Sequence, residues 1–206
     1  MSNDPGHWSA IHAQRHRLAD LLDTLTPLQW EAPSVCAGWR VRDVAAHVAS
    51  APLLRVRDVG GMVWRGRFNF DRMVLLDGLA RGRAAPEEIR HSLREHADSR
   101  NRLPGSYPLI DVVVHTHDIT RALGIGWETP PGVAATAAEQ ARPLARLMGA
   151  GKVLRAVRLE ATDADWATGR GPTVAGPAQE LLLVLCGRAR VARDLTGPGV
   201  PVLSAL

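Results

Sequence analysis

The stretch IDVVVHTHDITRALG, Ile110 to Gly124, decides how this chain folds. Three consecutive valines speak for a strand, on which His115 and His117 would share a side. As a helix, the same letters stack Asp111 on His115, four residues on, with Cβ atoms roughly 5–6 Å apart, and send His117 elsewhere. The helical reading is preferred. Leu109, Val112 or Val113, Thr116, Ile119 or Thr120, and Leu123 keep helical spacing, RALG is helical in character, and Gly124 suits a left-handed cap. A lone strand here would have no neighbouring strand to pair with.

The surroundings read the same way. Residues 9–25 predict a helix, with Ile11, Leu18, Leu21, Leu22 and Leu25 on one face and Arg15, Arg17, Asp20 and Asp23 largely around the other. A second helix is expected from Val41, with Val44, Ala45 and Val48 inward and His47 on or beside that face. Gly60-Gly61 and WRGRFNFD (64–71) read as loop, followed by a short apolar piece, RMVLLDGLA. Pro86-Glu87-Glu88 opens a helix expected to reach about Arg102. Pro130-Pro131 leads into another, VAATAAEQARPLARLMG, kinked at Pro143. After Gly149 the pattern changes. VLRAVRLEAT alternates like a half-buried strand, WATGRGPTVAG is turn-rich, PAQELLLVLCGRARVARDL predicts one apolar helix, and GPGVPVLSAL a short strand. The expected fold is mainly α: a helical bundle over 1–150, then a small α/β domain over 151–206.

Bulk composition narrows the function. The chain has 206 residues, 46% of them hydrophobic, enough for a real core. No run approaches the roughly 20 apolar residues that cross a bilayer, and MSNDPGHWSA is not a signal sequence, so a cytoplasmic protein is expected. Cys36 and Cys186 form no CxxC pair and are expected as free thiols. Cys186, in LLLVLC, reads as core; Cys36, before a Gly-Trp turn, has a cleft-lining role only as its second reading. The net charge of +4 comes from arginines scattered among acids (RVRD, EEIRHSLREHADSR, ARVARD), without the basic patch and interleaved aromatics of a nucleic-acid protein.

Of the eight histidines, His7, His12, His16, His91 and His96 sit in charged surroundings and read as solvated. His47, His115 and His117 sit among apolar residues. Asp111 and His115 could grip one cation from a single helix face, with His47 the best third donor. Spacing alone favours a surface Asp111–His115 ion pair with His47 a core histidine, because D-x-x-x-H is common by chance.

A resemblance shifts that balance. SVCAGWRVRDVAAHVAS (34–50) resembles the first metal-binding motif of the mycothiol-dependent maleylpyruvate isomerase family, within the DinB-like metalloenzymes. DVVVHTHDITRALG (111–124) resembles the second, where the first ligand is more often glutamate than aspartate. RLEATDADWATGRG and VAGPAQELLLVLCGR resemble the family's small C-terminal domain. The resemblance implies a DinB-like four-helix bundle with His47, Asp111 and His115 as metal ligands and Asp118 as a supporting group. It also implies that Arg188 reaches toward the active site, although an ordinary helix-end arginine is the alternative. His117 would face away from the metal, in a surface or supporting role. The implied cofactors are a divalent metal, zinc by family habit, and mycothiol as thiol cosubstrate; the donor set also suits iron, nickel or manganese. The implied activity is a thiol-dependent isomerase or S-transferase acting on a small electrophilic or unsaturated acid. The rivals are a thiol-independent metal hydrolase and a non-catalytic DinB-like binding protein. Expected partners are the small substrate and the thiol, with no nucleic acid and no membrane, in a monomer or homodimer.

Overall fold

A computed structural model describes residues 5–67 and 69–206. Among the described residues, seven α-helices lie in the first compact unit, 1–126. They are α1 (Pro5–Asp23), α2 (Pro27–Glu31), α3 (Val41–Ser50), α4 (Val56–Arg65), α5 (Phe70–Arg81), α6 (Pro86–Glu95) and α7 (Pro108–Leu123). Four of them close a ring: α1 packs on α6 and α7, and α3 packs on the same two. This is the expected four-helix bundle. Its interior holds Ile11, Leu18 and Leu22 of α1, Val41, Val44 and Val48 of α3, Ile89 and Leu93 of α6, and Leu109, Val112, Val113 and Ile119 of α7.

The deciding stretch is therefore a helix, and its burial explains the strand-like letters. From Pro108 to Thr120 only Asp111 and His115 are not buried. A helix covered on nearly every side is apolar nearly all round, so valines accumulate where packing outweighs their propensity cost of a few tenths of a kcal/mol. Gly124, at φ +67°, caps it in the left-handed region, and the Ile125 amide donates to the Thr120 carbonyl at 2.9 Å.

Several expectations are corrected. The break after α1 contains α2, opened by a reciprocal cap: Thr26 Oγ1 accepts from the Gln29 amide and Gln29 Oε1 from the Thr26 amide. Gly60 and Gly61 lie inside α4, and the short apolar piece belongs to α5. Of the stretch read as loop, residue 68 lies outside the described residues, as do residues 1–4. Helix α6 stops at Glu95, not near Arg102. Arg15, expected on the wet face, is buried instead, and its Nη1 donates to the Ala97 and Ser99 carbonyls at 3.3 and 2.8 Å beyond the end of α6.

The second compact unit, 127–206, contains α8 (Pro131–Ala141), α9 (Val153–Ala156), β1 (Arg158–Ala161), β2 (Ala167–Gly169), β3 (Thr173–Gly176), α10 (Ala178–Leu185) and α11 (Val200–Ser204). Its sheet has the order β2-β1-β3, with β1 antiparallel to β2 and parallel to β3. The sequence reading assigned residues 127–150 to the bundle. By packing, the division falls after Gly126, because the small buried face of α8 (Ala134, Ala137, Ala138, Ala141) lies on α10, with which it shares a core. The apolar helix ends at Leu185, short of the expected span. The tail forms α11 where a strand was expected, and the nearest strand-like pairing is one bridge, Ala175 to Thr196. Cys186 is buried, as read from the sequence. No described helix is long and apolar enough to cross a membrane.

Candidate metal centre

The loop before α3 builds the site. The Trp39 amide closes a tight turn onto the Cys36 carbonyl at 3.0 Å, with Gly38 at φ +81° inside it. Asp43, fully buried, accepts the Arg40 amide at 2.8 Å and the Arg40 guanidinium at 3.0 and 3.1 Å, which offsets its buried charge and fixes the start of α3. Two turns on, His47 faces α7.

There the separated residues meet. His47 Nε2 lies 3.2 Å from Asp111 Oδ1, and His115 Nε2 lies 3.5 Å from the same oxygen. The three donor atoms fall within 4.8 Å of one another, and the two imidazoles stand nearly perpendicular, 83° apart. A tetrahedral ion bonded at about 2.0–2.1 Å holds its donors about 3.3–3.5 Å apart, so the set fits a divalent cation. Aspartate, one methylene shorter than glutamate, reaches both rings. The Trp39 indole walls the site, 5.1 Å from the His47 ring and 6.1 Å from that of His115, and its Nε1 donates to the Leu75 carbonyl at 3.1 Å.

Charge in the cluster is tightly balanced. Burial would raise the Asp111 pKa, but the charge and hydrogen bond of His47, with His115 and the buried Arg15, hold it at about 2. Burial pushes His47 down, and the Asp111 carboxylate more than reverses this, leaving it above the ordinary imidazole value. Such a carboxylate is ionised throughout the physiological range, as a metal ligand must be.

Behind His115, Asp118 Oδ2 meets Nδ1 at 2.9 Å, an arrangement that orients the ring and directs Nε2 toward Asp111. Cys36 Sγ donates to the same Oδ2 at 3.0 Å. A cleft-lining role for Cys36 is only the second expectation from the sequence, and the structure puts its thiol against the site. The only signal in the letters was its place in the Gly-Trp turn, since its contact with Asp118 spans 82 positions. Arg188 belongs to the second unit, beyond α10, where its Nη1 donates to the Cys186 carbonyl at 2.6 Å.

His117 is fully buried and not in the cluster. Burial, reinforced by Arg121 and Arg17 against the opposing pull of Asp118, lowers its pKa to about 4. The unfolded chain binds a proton there near pH 6.5, the folded chain only near 4. Stability is therefore complete above pH 6.5 and falls as pH drops through that window, by up to about 3 kcal/mol. Urea unfolding at pH 7 and pH 4.5 should show the loss, and His117→Leu should flatten the difference. An unchanged slope in the variant would show that another group carries it.

Fold and cluster together define a helical-bundle protein with a candidate metal centre of two imidazoles and one carboxylate. Residues 11–108 match the family described as "Mycothiol maleylpyruvate isomerase N-terminal domain". The chain is also similar to a solved structure, the crystal structure of a mycothiol-dependent maleylpyruvate isomerase. The TM-score is 0.54 at 14% identity, covering 94% of this chain and 92% of that one. At that identity the likeness speaks for the fold alone. No relative was found among the curated proteins.

Proposed function

We propose that the chain is a divalent-metal enzyme that uses a low-molecular-weight thiol, mycothiol in kind, to isomerise or S-conjugate a small unsaturated acid. The observation that carries this reading is the convergence of His47 Nε2, Asp111 Oδ1 and His115 Nε2 in a chain whose residues 11–108 match this family. These three would hold the cation, zinc by the habit of the resembling family, leaving an open position as catalytic sites do. Bound there, the cation supplies Lewis acidity, which lowers the pKa of a thiol near it.

The protein's own groups do the rest. Asp118 keeps His115 in the ligating orientation, and the Trp39 indole gives the site one apolar wall, which weakens competition from water. In an isomerisation, the thiol sulfur adds to the conjugated double bond, the new single bond rotates, and elimination returns the same thiol with the trans acid. No net oxidation occurs. Arg188 is proposed to pair with a carboxylate of substrate or thiol, a task its planar fork suits. Both substrates are small molecules, and the enzyme is proposed to work in the cytoplasm as a monomer or homodimer.

The test is turnover of a maleyl-type acid by zinc-loaded protein, followed by proton NMR with and without mycothiol. Cis-to-trans conversion or conjugate formation is expected only with the thiol. Turnover independent of thiol would replace this reading with a hydrolase. Absence of turnover together with absence of bound metal would leave a binding protein.

A further inference from the structure

Back to back with the first cluster stands a second set of donors. Asp118 Oδ2 is 3.0 Å from Cys36 Sγ and 2.9 Å from His115 Nδ1, and Sγ is 3.7 Å from that same nitrogen. All three donor atoms lie within 4.8 Å of one another. Thiolate, imidazole and carboxylate are the donors that thiophilic d¹⁰ cations take. A tetrahedral ion at about 2.3 Å from sulfur and about 2.0–2.1 Å from nitrogen and oxygen needs edges of about 3.6 Å (S to N), 3.5 Å (S to O) and 3.3 Å (N to O). The set must therefore spread by no more than about half an ångström. The sulfur-to-nitrogen edge already fits, and both edges that must lengthen end at Asp118 Oδ2, so the change falls mainly on a small rotation of that carboxylate.

His115 belongs to both sets. A neutral imidazole has one N–H and one lone pair. With the proton on Nδ1, donated to Asp118, the Nε2 lone pair faces His47 and Asp111. With the proton on Nε2, which has Asp111 Oδ1 as an acceptor 3.5 Å away, the Nδ1 lone pair faces Cys36 and Asp118. One neutral ring serves one set at a time.

We propose that Cys36, Asp118 and His115 Nδ1 form a second cation site, selective for thiophilic ions, whose filling disables the first. Binding releases the Cys36 thiol proton to solvent and moves the His115 proton from Nδ1 to Nε2; no group is oxidised or reduced. The site stands on its own donors, and only the exclusion rests on the function proposed above. A soft cation would thus switch off the first cluster without touching His47 or Asp111.

The experiment titrates metal-free, full-length protein with Cd2+ and follows the thiolate-to-cadmium charge-transfer absorption in the ultraviolet. The band should saturate at one cadmium per chain, vanish in Cys36→Ser although Cys186 remains, and survive in His47→Ala, which removes a donor from the first set only. Mn2+, a hard probe followed by electron paramagnetic resonance, should bind Cys36→Ser as it binds wild type and be excluded from cadmium-saturated wild type. Absence of the band, its persistence in Cys36→Ser, its loss in His47→Ala, or simultaneous binding of both ions would each overturn the proposal. Loss of Mn2+ binding in His47→Ala with the cadmium band intact would support both sites, whereas Mn2+ binding unchanged in His47→Ala would sink the first-site reading alone.

Discussion

Asp111→Asn is expected to abolish high-affinity binding of a hard divalent cation such as Mn2+ at the first cluster, and thiol-dependent turnover with it. The carboxylate is the hub of the cluster: a single oxygen lies 3.2 Å from one imidazole and 3.5 Å from the other. The amide keeps the shape and removes the charge. Removing a partner that merely orients a ligand costs roughly 10–100-fold in metal affinity, and the loss of a ligand should exceed that range. Calorimetric titration with Mn2+, which the thiolate-containing second set disfavours, measures it. Asp111→Glu should retain binding, since the resembling family more often carries glutamate there. Binding unchanged in Asp111→Asn would show that the cation, if held, is held elsewhere.

Gly78→Ala is the second large effect, and its sign runs against helix propensity. On an exposed helix the change would stabilise by up to about 1 kcal/mol. Here a Cβ would overlap the six-membered ring of Trp39, and four residues on a Cβ at Gly82 would overlap the Asp43 carboxylate. The two glycines let α5 lie directly against the start of α3, and α3 and α5 do pack together. Forcing a methyl into such a contact costs typically 1–3 kcal/mol. We expect Gly78→Ala to lose about 2–3 kcal/mol in urea unfolding, at the upper part of that range because an indole has little room to shift. Metal affinity should fall with it, because the displaced ring is the one packed on His47. A variant as stable as wild type would mean that α5 and Trp39 part at little cost.

What the letters disclosed and what they hid divide along physical lines. Local periodicity exposed α1, α3 and α7, and the four-residue spacing of Asp111 and His115 needed nothing beyond a helix. His47 was reachable because it lies at the edge of an apolar stripe whose other members are core. Cys36 was not, because its partners are set by the way a turn folds back onto α7. Arg15 was misread for a related reason: helical phase placed it with charged residues, but carbonyls beyond α6 receive it. The place of α8 depended on which leucines would cover its alanines, and a stripe of small residues does not name its partner.

The two halves of the cluster come from α3 and α7, His47 and Asp111 being 64 positions apart. In an unfolded chain only the Asp111–His115 pair stays within reach, so a cation binds the closed bundle far better than the open one. Whatever occupies the centre is therefore also a clamp across the fold. At a hundred times its dissociation constant it would add about 2.7 kcal/mol to stability, and the melting temperature would follow the free cation concentration. Metal supply and the lifetime of the folded protein are then one variable.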